Sequence, residues 1–111
     1  MEQAFVPETR SVYFQTVMAV TKRKYRDPIA VEQGRRLKKQ REARDMTQEA
    51  LAKLIGYRQS AVGNWEAGVR RIRHEEAEKL AEVLGLPSAY FLGAISEQEA
   101  RVIQTIRNGS D

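Results

Sequence analysis

The chain has 111 residues, a formal net charge of +4, a sequence pI of about 9.6 and no cysteine. This length fits one domain with a tail, and the missing cysteines exclude disulfides and thiolate metal sites. No apolar run approaches the roughly 20 residues of a membrane-spanning helix, and the acidic start is unlike a secretion signal. We therefore expect a cytoplasmic protein, whose basic balance permits nucleic-acid binding without establishing it.

Residues 1–26 give the least definite pattern, and we treat them as an N-terminal extension. Their apolar cluster is too short for periodicity to distinguish a helix from a strand. Its members are Val12, Tyr13, Phe14, Val17, Met18 and Val20. We expect the extension to pack on the core or to be partly disordered. The alternative is an arm that mediates dimerisation or binds a partner.

The first core helix is predicted to begin at Asp27 and Pro28, which fit an N-cap followed by proline at the first helical position. It ends at Arg44, and Asp45 tolerates the left-handed turn that follows better than most residues. Gln40 lies on the inward stripe, where a polar residue weakens the apolar face unless the extension covers it.

Thr47 begins a second helix, because it is a favourable N-cap. Leu51, Leu54 and Ile55 have the i, i+3, i+4 spacing of one apolar face. Gly56 ends this helix, since glycine tolerates the positive φ that a sharp turn requires.

A third helix is predicted over residues 59–66 and ends before Gly68. Val62 and Trp65 are three residues apart and point inward. Gln and Asn amides can pair with an adenine edge in the major groove, and Ser can pair with several bases. The outer face therefore resembles a base-reading surface more than a merely solvated one, and it carries Gln59, Ser60, Gly63 and Asn64.

Three further helices are predicted after a basic loop. A fourth helix spans His74 to Leu84, and a short fifth helix lies within residues 87–92. Residues 96–99 form a capping box that opens a last amphipathic helix, which Asn108 and Gly109 are expected to stop. This last helix needs a surface for its apolar side, either on the core or on a second copy of the chain.

The motif from Thr47 to Gly68 resembles the helix-turn-helix of the lambda repressor and Cro (Xre) family of DNA-binding regulators. The matching residues are Gln48, Leu51, Ala52, Ile55, Gly56, Val62, Trp65, Glu66 and Gly68. The resemblance covers about residues 34–93. It implies an all-α fold: a five-helix DNA-binding domain at residues 27–93, between the N-terminal extension and a C-terminal helix and tail at residues 94–111.

The sequence departs from the family pattern at some positions. The family's first helix begins nearer Gly34, and an apolar residue is usual at Gln40. Arg58 stands where a Ser or Thr cap is common, so we expect a poorly capped recognition helix. A structural ion pair is implied between Arg41 and Glu66.

The function implied is a transcriptional regulator, in most cases a repressor, that binds a palindromic operator as a homodimer through the recognition helix 59–66. The expected base contacts come from Gln59, Ser60, Gly63 and Asn64. The expected contacts to the DNA backbone come from Gln48, Arg58, Arg70, Arg71 and Arg73. A basic run before the domain is either solvated or a DNA-contacting arm, and it comprises Lys22, Arg23, Lys24 and Arg26.

Two rival functions keep the same fold. In the first rival function, the chain is an antitoxin: the motif autoregulates an operon, and the N-terminal extension binds a toxin. In the second it is a protein-interaction adaptor that binds no DNA. No enzyme, cofactor or metal is expected, because His74 is the only histidine and no ligand cluster or phosphate-binding glycine loop is present.

Overall fold

The computed structural model describes residues 27–109, and every regular element of that part is an α-helix. The predictions for the extension and its basic arm therefore lie outside the described residues. The six helices are α1 Pro28–Ala43, α2 Gln48–Ile55, α3 Gln59–Glu66, α4 His74–Leu84, α5 Ser88–Leu92 and α6 Glu97–Gly109. The all-α prediction is confirmed.

Helix α1 begins where its capping residues predict. The Oδ1 atom of Asp27 accepts a hydrogen bond of 3.1 Å from the backbone N–H of Ile29, and Pro28 fills the first position. The start near Gly34 that the family pattern implies is therefore wrong for this chain. Asp45 adopts a φ of 54° just after the helix, in the left-handed region to which we assigned it.

The helix-turn-helix is defined by local caps at both ends of α2. The Thr47 hydroxyl accepts a hydrogen bond of 3.0 Å from the N–H of Ala50, and Gly56 ends the helix with a φ of 78°. Helix α3 starts without a side-chain cap from Arg58, as we predicted from the missing Ser or Thr. The motif therefore depends on packing rather than capping to hold its second helix.

In the described part of the chain, α2, α3, α4 and α5 pack around one apolar core, and α1 packs across it. Its largest fully buried side chains are Trp65, Tyr90, Phe91, Leu37, Leu51, Leu80, Leu84 and Val62. Burying an apolar side chain of this size contributes roughly 1.5–3 kcal/mol relative to exposure. The inward positions predicted on α3, Val62 and Trp65, are both fully buried.

The apolar face of α2 differs from the predicted one. Leu51 and Ile55 are buried, but Leu54 is 59% exposed. Ala52 completes the buried face instead, at 2% exposure. The small Ala52 side chain lets α2 pack closely against its neighbours. Leu54 lies outside this contact and faces solvent.

Gln40 is buried, and it does not need the N-terminal extension to satisfy its amide. Its Nε2 donates to the Tyr90 hydroxyl over 3.2 Å, and its Oε1 accepts from Arg44 over 3.1 Å. The expected weakening of the α1 stripe is therefore wrong, because a buried polar group with hydrogen-bond partners carries little penalty.

Close backbone packing sets the position of α3 against α1. Gly34 is buried, and a Cβ atom there would overlap the carbonyl oxygen of Trp65 and lie 2.9 Å from that of Glu66. Only glycine allows this approach. The C-terminal end of the predicted recognition helix is thus held directly against the backbone of α1.

Helix α6 begins with the capping box that the sequence predicts. Ser96 N–H donates to Glu99 over 2.8 Å, and Glu99 N–H donates to the Ser96 hydroxyl over 3.0 Å. The predicted stop is wrong, because the helix includes Asn108 and Gly109. Both residues lower helix stability by fractions of a kcal/mol up to about 1 kcal/mol, which an existing helix end can absorb.

Candidate nucleic-acid interface

The two faces of α3 differ in what they contact. Its inner face is Val62 and Trp65, both at 0% exposure. The side chains of Gln59, Ser60 and Asn64 are exposed on the outer face, whereas Gly63 is half-buried. The helix is therefore held by one side and presents amides and a hydroxyl on the other.

A buried ion pair ties the end of α3 to α1. The Arg41 guanidinium donates to both carboxylate oxygens of Glu66, over 2.6 and 3.0 Å. The two side chains are 10% and 4% exposed. The hydrogen bond to Glu66 raises the pKa of Arg41 above its ordinary value, so the guanidinium stays charged. The pair therefore holds the C-terminal end of α3 against α1.

Gln48 extends this ion pair to the outer face of α3. Its Nε2 donates to Glu66 over 3.0 Å, and its Oε1 accepts from the Nε2 of Gln59 over 2.6 Å. The carboxylate therefore decides which way the Gln48 amide points, and Gln48 in turn orients Gln59. The Gln59 Oε1 atom lies at the outer end of this chain of hydrogen bonds.

Gly63 lies beneath the two glutamine amides. A Cβ atom at this position would stand 3.5 Å from the Gln48 Oε1 atom and 3.9 Å from the Gln59 Nε2 atom. Both separations are ordinary van der Waals contacts, so the glycine is not required by the protein's own packing. Its small size leaves the surface beside the glutamine pair open.

The arginines predicted to contact the DNA backbone have different surroundings. Arg58 is exposed at the start of α3, and Arg73 is exposed just before α4. Arg70 lies over the Trp65 ring, with its Cζ atom 5.3 Å from the ring centroid, and is 3.5 Å from Glu76. The loop thus carries both exposed and partly anchored cations.

Arg71 forms an ion pair with Asp27, the residue that caps α1. The hydrogen bond from Arg71 holds the pKa of the Asp27 carboxyl below its ordinary value. No sequence pattern indicates this pair, because the two residues are 44 positions apart. It ties the basic loop to the start of α1, where residues 1–26 join the domain.

Of the predicted site residues, the structure brings Gln48, Gln59 and Gly63 together, with Ser60 and Asn64 on the same exposed face. Sequence reasoning missed the contact between Gln48 and Glu66, which joins the structural pair to this surface. Within residues 27–109, no cluster of side chains has the composition of a metal site. No helix in that part is long and apolar enough to cross a membrane.

The family model HTH_3, described as helix-turn-helix, matches residues 37–91, which run from the middle of α1 to α5. No curated protein matches the chain.

Proposed function

Residues 37–91 belong to the lambda repressor/Cro-like helix-turn-helix family of DNA-binding transcriptional regulators, and on that premise we propose that the chain reads one palindromic operator as a dimer and represses transcription from it. The observation that carries this proposal is the exposed polar face of α3 with Gln59 held by Gln48. Sequence choice by such a domain requires donors and acceptors that face base edges in fixed positions.

Gln59 is the strongest candidate for a base contact. One of its amide hydrogens is used by Gln48, and the amide plane is thereby fixed before DNA arrives. A side chain ordered in advance loses less rotamer entropy on binding. Its free carbonyl and its second amide hydrogen match the N6 and N7 atoms of adenine. Ser60 and Asn64 would read neighbouring base pairs.

Gly63 would let the α3 backbone approach the DNA closely or would simply omit a contact. The separations around it favour close approach, since the protein itself leaves room for a Cβ atom. The bound DNA, and not the protein, would then leave no space for a Cβ atom at position 63.

Phosphate contacts would supply affinity and register on both sides of α3. Arg58 stands at the helix start, where backbone N–H groups and the positive end of the dipole also favour an anion. Arg70, Arg71 and Arg73 would follow the backbone from the loop after α3. The basic run at residues 22–26 would extend this contact as an arm.

The chain would act as a homodimer, since one recognition helix covers only a half-site. Two half-sites would then lie about one helical turn, roughly 34 Å, apart. The antitoxin alternative depends on residues 1–26, which lie outside the described part of the chain, and no described contact favours it.

The test is selection from a random duplex-DNA pool with the full chain at near-physiological salt. We expect an enriched inverted repeat. Gln59→Ala should then relax base choice at one position in each half-site, by about 1–3 kcal/mol. Glu82→Ala is the control, because this exposed side chain lies on α4 and outside the expected DNA contacts.

Two results would contradict the proposal. An equal loss of affinity on all sequences from Gln59→Ala would remove its role in reading bases. Weak, salt-sensitive binding without an enriched motif would contradict the operator itself and would favour a function that needs a protein partner.

A further inference from the structure

An apolar face of α6 is exposed on the single chain. Val102 is 56% exposed and Ile106 is 64% exposed, and Ile103 between them is half-buried. These residues line one side of the helix, and an open groove of about 820 Å³ runs beside it from Ile95 to Ile103. Exposed aliphatic side chains in a row are uncommon on a domain that functions alone.

The side of α6 that faces away from Val102 is attached to the domain, and the half-buried Ile103 lies at the border of that side. Ala100 is fully buried, and Glu97 joins α6 to α1 through an ion pair of 2.6 Å with Lys39. Arg101 also pairs with Glu97 over 2.6 Å. The helix therefore has a fixed direction, and its apolar face is presented to the outside by a rigid element.

Charged residues border this face with a symmetric spacing. Glu99 lies four residues before Ile103, and Arg107 lies four residues after it. Residues 99, 103 and 107 follow one another by single helical turns, so they share one side of the helix. The side is thus acidic at one end, apolar in the middle and basic at the other end.

We propose that α6 is the dimerisation helix and that it pairs antiparallel with α6 of a second copy, centred on Ile103. A two-fold axis at Ile103 places this residue against its own copy. The same axis places Glu99 of each chain opposite Arg107 of the other, because both are four residues from the centre. Val102 and Ile106 then lie in the contact between the two helices.

The charges favour this orientation over the parallel one. A parallel pair with a two-fold axis along the helices would place Glu99 against Glu99 and Arg107 against Arg107. Like charges across an interface are unfavourable, whereas opposite charges fix register. An isologous contact of this kind uses one patch on both subunits and closes without leaving a free edge.

This inference rests on the proposed function, which requires a dimer, and it assigns a surface to that dimer. Its test uses sedimentation equilibrium of the full chain without DNA, so it does not depend on operator binding. The natural protein should be dimeric. Ile106→Glu should weaken the dimer by more than about tenfold, since it places a charge in an apolar contact.

Asn108→Glu is the matched control, because this exposed residue follows Ile106 by two positions and so lies on the other side of α6. It adds the same charge two residues away and should leave the dimer unchanged. Neither residue is buried in the single chain, so thermal unfolding of the monomer should be little altered by either variant. Equal weakening by both variants would overturn the proposal.

The register is tested by exchanging charges between chains. Arg107→Glu and Glu99→Arg should each weaken their own homodimer, because each places like charges in both pairs. Mixing the two variants should restore association, since the heterodimer contains two pairs of opposite charge. A mixture that associates no better than either variant alone would overturn the antiparallel register. If Glu99→Arg does not fold because it loses the capping box, weakening of the homodimer by Arg107→Glu is the test of the register by itself.

The remaining outcomes separate other occupants of the face. A monomeric natural protein in which Ile106→Glu changes nothing would assign the face to residues 1–26 or to another protein, and would overturn the proposal. A dimer that depends on Ile106 but selects no DNA motif would support the α6 contact while contradicting the proposed function.

Discussion

At the scale of single residues, two helical glycines differ in what lies opposite the missing Cβ atom. At Gly34 the neighbours are the backbone carbonyls of Trp65 and Glu66, which cannot move without shifting α3. At Gly63 the neighbours are the ends of two glutamine side chains, at ordinary separations. The same substitution therefore has opposite consequences at the two sites.

We expect Gly34→Ala to lower the free energy of unfolding by at least about 1–3 kcal/mol, the usual cost of overpacking. Gly63→Ala should raise it by roughly 0.5–1 kcal/mol, because alanine favours the helix. Urea unfolding monitored by circular dichroism measures both. If Gly63→Ala also weakens operator binding, the DNA approaches this position closely, and unchanged binding would mean that it does not.

The buried pair between Arg41 and Glu66 gives a second prediction at this scale. Glu66→Gln removes the charge that compensates Arg41 and should cost about 3–5 kcal/mol of unfolding free energy. Glu78→Gln is the matched control, since this glutamate is 61% exposed and its partner is His74. It should cost less than about 0.5 kcal/mol.

Equal costs for the two glutamate variants would show that the Arg41 pair contributes no more than a surface contact. The Glu66 variant should also release the Gln48 amide, which donates to this carboxylate. We therefore expect it to reduce base selectivity in whatever fraction remains folded.

At the scale of helices, the attachment of α6 to α1 is predicted to depend on pH. Hydrogen bonds from Lys39 and Arg101 lower the pKa of Glu97 from 4.5 to about 2. Because the folded pKa is the lower one, the stabilisation is complete above pH 4.5 and is lost as the pH falls toward 2. Glu97→Gln should therefore flatten the fall in unfolding free energy across this window.

The measurement is chemical unfolding at a series of pH values between about 2 and 7. Glu32 keeps part of the dependence in the variant, since hydrogen bonds from Arg35 and Arg36 lower its pKa to about 2 as well. Glu82→Gln, an exposed change on α4, should leave the dependence as it is in the natural protein. Identical curves for Glu97→Gln and the natural protein would contradict the prediction.

The sequence predicts helices well where their signals are local. The bounds of α3 and α4 agree with prediction because apolar spacing and a following loop define them within one stretch of chain. Leu54 was misplaced because its spacing fits an apolar face, whereas α2 packs on its neighbours through Leu51, Ala52 and Ile55. Gln40 was misjudged because its partner, Tyr90, is 50 residues away.

The candidate site shows the same division. Residue type and helical period were sufficient to place Gln59, Ser60 and Asn64 on an exposed face. The hydrogen bonds that orient Gln59 were not predictable, because they join α2, α3 and α1 in space. Spacing along the chain carries no information on which of two amides donates.

At the scale of the whole molecule, the salt dependence of DNA binding should report the cations that meet phosphates. Arg58→Ala should weaken binding to all duplexes alike and reduce the slope of log K against log salt concentration by about 0.9. Lys38→Ala, an exposed change on α1, removes the same charge outside the proposed interface and should leave the slope unchanged. Filter binding at several salt concentrations measures both.

A slope that is equal for the Arg58 variant and the natural protein would show that this arginine meets no phosphate. The same measurement applies to the basic run at residues 22–26, which contains four of the 19 lysines and arginines of the chain. Replacing these four by glutamine should reduce the slope by about 0.9 for each one that contacts DNA.

The attachment of α3 through its inner face and its C-terminal end has a consequence for evolution and for engineering. Gly34, Arg41 and the buried Trp65 hold the helix, and the side chain of Gln59 is joined to that scaffold through Gln48. New operators are therefore accessible by exchanging Gln59, Ser60 and Asn64 while the scaffold is kept. Position 48 should be varied together with position 59, as a coupled pair in any library of recognition helices.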